Sequence, residues 1–104
     1  METITLTVGQ YEDAIFEFTV SNYSLESNTL KSQIRDEVGT LKGEALVTII
    51  SPIRFNLIIT NVVSGLLIPN TYNIDVLATN TVSAAKTFIT PVMKLEITDR
   101  VTQP

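Results

Sequence analysis

The side chains with the widest chemical range in this chain are its carboxylates, because the usual catalytic residue types are missing. There is no histidine, which removes the commonest metal ligand and the commonest general base near neutral pH. There is no cysteine, so disulfides and thiolate metal sites are excluded. A nucleophile would have to be Ser, Thr, Lys or a carboxylate activated by a neighbour. Lys31 and Ser32 are adjacent, but consecutive residues of a strand point to opposite faces, which makes them a poor catalytic pair. No Gly-x-Ser-x-Gly elbow occurs, and neither Gly39 nor Gly43 opens a phosphate loop. The acidic pairs Glu12-Asp13 and Asp36-Glu37 would bind calcium only if another acid came near, and neither has the spacing of a dedicated calcium loop. They read as solvated loop acids. Asp75 stands apart, mid-strand between Ile74 and Val76. It reads as an outward-facing residue paired across the sheet with Arg54 or Arg35, with a partner contact as the alternative. Tyr72 reads as a core residue with its hydroxyl at the edge. This inventory points away from an enzyme and calls for no cofactor and no metal.

The elements that would position these residues are strands. Ile4, Leu6 and Val8 alternate with threonines, the period-2 pattern of a half-buried strand. A second strand over about 14–21 turns Phe16, Phe18 and Val20 one way and Glu17 and Thr19 the other. Ser21 to Asn28 reads as a loop whose Leu25 plugs the end of the core. A third strand, about 29–36, sets Leu30, Ser32 and Ile34 against Lys31, Gln33 and Arg35, a face that is wet or meets a partner. Asp36 to Gly43 reads as a loop. Strands four and five, about 44–50 and 53–60, are separated only by Ser51-Pro52. The stretch 61–70 allows one short helical turn, which Gly65 and Pro69 keep from extending. Strand six, about 71–79, has Tyr72, Ile74 and Val76 on one face and Asn73, Asp75 and Leu77 on the other. Strand seven is about 84–90, interrupted by Pro91. Strand eight, about 92–98, sets Met93, Leu95 and Ile97 against Val92, Lys94 and Glu96. Seven to eight short strands with short turns predict an all-β β-sandwich, with a small barrel as runner-up. No connection is long enough for βαβ units.

The 104 residues make one domain, predicted over 1–98, with 99–104 as a flexible or partner-bound tail. Charged residues are 17% of the chain, below the roughly 25% usual for soluble domains. Little charge is left to discourage self-association, which points to a partner-covered surface and a homo-oligomer. The net charge is -4, and eight of the acids lie in residues 1–52. There is no basic stripe, so nucleic-acid binding is not expected. No run of 18 apolar residues occurs, so no membrane insertion is expected. The opening Met-Glu-Thr-Ile-Thr lacks the pattern of a secretory signal, and Asn22-Tyr23-Ser24 accordingly reads as a chance match to the glycosylation pattern.

Four stretches together resemble the small Ig-like domains of tailed-bacteriophage virion proteins, of the baseplate and tail-fibre-anchoring type. The first is Ile4-Thr5-Leu6-Thr7-Val8-Gly9-Gln10 followed by Phe16-Glu17-Phe18-Thr19-Val20. The most specific is Leu30-Lys31-Ser32-Gln33-Ile34-Arg35 with Asp36, similar to that family's "x-A-Q-I-R" strand. The third, Leu67-Ile68-Pro69-Asn70-Thr71-Tyr72-Asn73-Ile74-Asp75-Val76, is similar to its "L-x-P-G-x-Y-x-Y-D-V" passage, with Asn70 where the family often has glycine. The fourth is Lys94-Leu95-Glu96-Ile97-Thr98 with Val101-Thr102. The resemblance implies an Ig-like sandwich and a non-catalytic structural or adaptor protein of the virion. Such a protein is assembled in the host bacterial cytoplasm and docks onto tail, baseplate or capsid neighbours, or joins a fibre to the particle. A carbohydrate- or host-surface-binding module is the alternative, and it calls for a groove with exposed aromatics. The expected contact residues are Lys31, Gln33, Arg35 and Asp75 on the wet face, Leu66 and Leu67 in the apolar loop, and Lys94 and Glu96 on the second of two terminal strands, 2–8 and 92–98, that would pair with another chain if left uncovered.

Overall fold

The computed structural model describes residues 3–21 and 23–99. Asn22 and the tail residues 100–104 lie outside them, so the expectations for the glycosylation pattern and for most of the tail fall outside the described residues.

Eight strands and one short helix follow the alternation of the sequence: β1 (Thr5–Gly9), β2 (Ala14–Thr19), β3 (Asn28–Arg35), β4 (Leu41–Ser51), β5 (Arg54–Ile59), α1 (Asn61–Leu66), β6 (Asn70–Asn80), β7 (Lys86–Phe88) and β8 (Met93–Thr98). The all-β expectation holds. The Ig-like sandwich does not, because the strands form one hydrogen-bonded path, β1-β8-β6-β3-β4-β5-β2, with β7 also on β6. The cause is β4, which extends N-terminally into what reads from sequence as a loop. Its first half (Leu41 to Ala45) pairs with β3, and its second half (Leu46 to Ser51) pairs with β5. One strand thus belongs to both halves of the sheet. Irregularities at Ile34/Arg35 and Ile49/Ser51 interrupt its ladders, as bulges do where a sheet must bend. The result is a nearly closed barrel, with β1 and β2 at the two ends of the path.

The interior is the set of residues that the period-2 pattern points inward. Phe55, Leu57 and Ile59 from β5, Tyr72, Ile74 and Val76 from β6, and Met93, Leu95 and Ile97 from β8 are all buried. Phe18 stacks on Phe55 with ring centroids 5.3 Å apart. Leu25 plugs the core as expected, and the loop carrying it is tied down by its N–H donating to the Pro52 carbonyl at 2.7 Å. Tyr72 is buried, with its hydroxyl donating to the Ile68 carbonyl at 2.6 Å. Burial, with Asp36 adding to it, raises its pKa above the ordinary tyrosine value despite that hydrogen bond.

The end of the barrel beside the β1–β2 turn is capped by α1. Thr60 is its N-cap, accepting from the Val63 N–H. The turn is bolted to the helix by three long-range bonds. Ser64 Oγ donates to the Glu12 carbonyl at 2.7 Å, the Asn61 N–H donates to Asp13 Oδ1 at 2.7 Å, and Gln10 Nε2 donates to the Leu67 carbonyl at 3.1 Å. Gly65 is required here, since a Cβ in its place would stand 2.5 Å from Tyr11 Cδ1. The absent side chain lets the ring lie against the helix.

Candidate functional site

The outward-facing residues of β3 and β6 are aligned by their antiparallel register, which sets directly opposed residues on one face. Three rows result. Lys31 lies opposite Leu77, which lies opposite Phe88 of β7. Gln33 is flanked by Glu44 on one side and Asp75 on the other. Arg35 lies opposite Asn73, which lies opposite Lys94. These rows floor a cleft of about 430 Å³ lined mainly by Lys31, Gln33, Arg35, Asp75, Phe88 and Val92, a volume within the range of ligand pockets.

The cleft exists because two strands share one side of β6. β8 pairs with Asn70 to Ile74, and β7 pairs with Leu77 to Thr79. Asp75 and Val76 fall between the two registers. The chain crosses that gap at 89–92, where Pro91 has no N–H to give to a ladder. Val76 is served instead by the Ile89 N–H, which donates to its carbonyl at 3.0 Å, and by Thr90 Oγ1, which accepts from its N–H at 3.0 Å. β7 is therefore shorter than the strand over 84–90 that the sequence predicts, and all three of its residues are exposed.

Most charged groups around the cleft are already occupied. Arg35 donates to the Gly39 carbonyl at 2.9 Å and to Gln33 Oε1 at 2.8 Å. The turn that presents Gly39 (φ 89°) is held by Asp36 Oδ1, which accepts from the Val38 and Thr40 N–H groups. Asp36 also pairs with Lys42 at 3.8 Å. Lys31 lies 4.0 Å from Glu44. The Asp75 carboxylate has no hydrogen bond and no ion pair among the described residues. The Arg54 partner expected for it is instead paired with Glu17 at 3.9 Å. Burial raises the Asp75 pKa, and the field of Arg35 lowers it by less.

Of the residues expected to make contacts, Lys31, Gln33, Arg35 and Asp75 are brought together here. Lys94 ends the row of Arg35 and Asn73, beyond the cleft lining, with its Nζ donating to Asn73 Oδ1 at 2.8 Å. Glu96 is exposed further along, opposite Thr71. Two expectations need correction. Leu67 is 2% exposed and belongs to the core, whereas Leu66 is 79% exposed, because α1 ends between them and turns successive side chains apart. β8 is not an edge, since β1 covers one side in parallel and β6 the other, so Lys94 and Glu96 act from a face rather than from an open edge.

Two features were not found by sequence reading. One is the apolar side of the cleft, Phe88 and Val92; Phe88 is 64% exposed, and its isolation between Thr87 and Ile89 ahead of Pro91 was the only signal. The other is a cross-strand row, Ile15 opposite Ile58 opposite Leu46, on the outside of β2, β5 and β4, in which Ile15 and Leu46 are exposed. Among the described residues no three of His, Cys, Asp or Glu gather closely enough to hold a metal ion. The chain matches no known protein-family model and no curated protein.

Proposed function

We propose that this domain is a non-catalytic assembly unit that docks onto neighbouring proteins of a bacteriophage virion. The observation that carries the reading is the composition of the cleft face. An arginine, an exposed aromatic and aliphatic side chains share one concavity, with polar and charged residues around it. Arginine and aromatics are the types enriched in protein interfaces, where an apolar centre is ringed by a polar rim. The low charge of the chain supports the same reading, and the virion assignment rests on the four stretches similar to phage Ig-like domains. A carbohydrate-binding module would stack sugar rings on several aromatics, and among the described residues Phe88 is the one aromatic lining this cleft.

Proteomic analysis of purified particles from the phage encoding the chain, together with light scattering of the isolated protein, tests the proposal. Stoichiometric presence in particles, or a defined oligomer that binds a particle protein, is the expected result. A strict monomer absent from particles would overturn it.

A further inference from the structure

We propose that the cleft over β3 and β6 receives a basic side chain, a lysine or an arginine, presented by a partner protein, with Asp75 as its counter-ion and Phe88 as its aromatic wall. This deepens the assembly reading by naming the chemistry of the partner's contact.

Charge complementarity selects the occupant. The cleft lining holds three acids, Asp36, Glu37 and Asp75, against two bases, Lys31 and Arg35, in a chain of net charge -4; of the acids, Asp36 is already held by Lys42 and by its own turn. Both bases are engaged: Arg35 by the Gly39 carbonyl and Gln33 Oε1, Lys31 by Glu44. An anionic ligand would have to draw Arg35 away from two hydrogen bonds. A cation meets the opposite situation, since the Asp75 carboxylate accepts no hydrogen bond among the described residues. That carboxylate stands in the gap between the β7 and β8 registers, partly withdrawn from water, and a cation returns the favourable contact that burial removed.

The rest of the lining fits the rest of such a side chain. Leu77, Phe88 and Val92 offer apolar surface to the methylene stem that lysine and arginine carry. The face of an exposed phenylalanine also attracts a cation directly through its ring quadrupole. Phe88 is held on this face because it pairs with the outward-facing Leu77. Carboxylate, aromatic face and apolar stem support thus meet in one cleft.

The test uses n-butylguanidinium chloride as the probe and sodium butyrate as the anionic control, followed through the backbone amide signals of Asp75, Leu77, Phe88 and Val92 by NMR. Saturable shifts with butylguanidinium and none with butyrate are expected. Asp75→Asn, with its folded state verified from the remaining signals, is expected to weaken binding by about tenfold or more, since it removes one partner of a charge pair. Phe88→Ala is expected to weaken it less. Stronger shifts with butyrate, no shifts with either probe, or undiminished binding by Asp75→Asn would each overturn the inference. The outcomes separate from those of the assembly reading. Particle incorporation with an unresponsive cleft defeats this inference alone, and cation binding without particle incorporation defeats the assembly reading alone.

Discussion

The α1 cap and the cleft over β6 are built from similar materials and put to opposite uses. Each joins a short irregular segment to the barrel, and each contains acids beside apolar side chains. At the cap every polar group named above has an internal partner: Ser64 with Glu12, Asn61 with Asp13, Gln10 with Leu67. Those bonds close the end of the barrel. At the cleft the bases are satisfied internally, but the Asp75 carboxylate has no hydrogen bond or ion pair among the described residues, and Phe88 is left outside the core. A matched polar group contributes to stability, whereas an unmatched one beside apolar surface costs stability and offers a contact to something else. The comparison ascribes stability to the cap and, on the reading proposed above, recognition to the cleft.

The largest break in that comparison is at Leu67. Leu67→Ala is expected to lower stability by about 2–5 kcal/mol, as for a buried aliphatic reduced to alanine. Its neighbour Leu66→Ala is expected to stay within about 0.5 kcal/mol of the parent, as for an exposed position. Urea titration of both variants decides it, and equal midpoints would show that the cap does not bury Leu67 selectively.

A smaller effect is expected at Gly65. Overpacking against Tyr11 costs about 1–3 kcal/mol, and the helix preference of alanine over glycine returns about 1 kcal/mol. Gly65→Ala should therefore lower stability by about 1 kcal/mol net. Combining it with Tyr11→Ala should remove the penalty and leave the propensity gain, which a thermal double-mutant cycle would reveal.

The smallest effect is at Asp75, and its sign is the informative part. Burial raises its carboxyl pKa in the folded state more than Arg35 lowers it, so the folded protein holds this proton more tightly than the unfolded chain. Its contribution to stability is full below the unfolded carboxylate value and is lost as pH rises through the folded one. At neutral pH, Asp75→Asn is therefore expected to equal or exceed the parent in stability, by no more than about 0.5 kcal/mol. In acid, where the parent carboxyl is protonated, the difference should vanish. Urea midpoints at neutral and acidic pH measure this, and a variant less stable than the parent at neutral pH would show that the carboxylate makes a stabilising contact. A variant that is no less stable yet fails to bind the cationic probe would sharpen the division between cap and cleft.

Much of the wet face was legible because strand alternation is a local property. Lys31, Gln33 and Arg35 repeat at every second residue, as do Asn73, Asp75 and Leu77, and each set had to share a face whatever its strand paired with. Tyr72 was legible by the same alternation, since it shares a face with Ile74 and Val76, and Leu25 for a different reason: a lone large apolar residue in a polar loop has few places to go but the core. Leu66 and Leu67 were not separable, since the helix end that parts them depends on packing against the β1–β2 turn. Phe88 was missed because its exposure follows from where β7 stops, and that depends on β8 taking the remainder of the same side of β6.

The sequence by itself determined the all-β character, the position of most strands and the inward and outward sets of residues, because period-2 patterning is written into neighbouring residues. Only the tertiary structure decided that the strands form a nearly closed barrel instead of a sandwich. Pairing is non-local: whether β4 joins one neighbour or bridges two depends on partners elsewhere in the chain. The same non-local pairing set Asp75 in the gap between two strands, placed Phe88 on the same face, and so turned an alternating polar strand into a cleft.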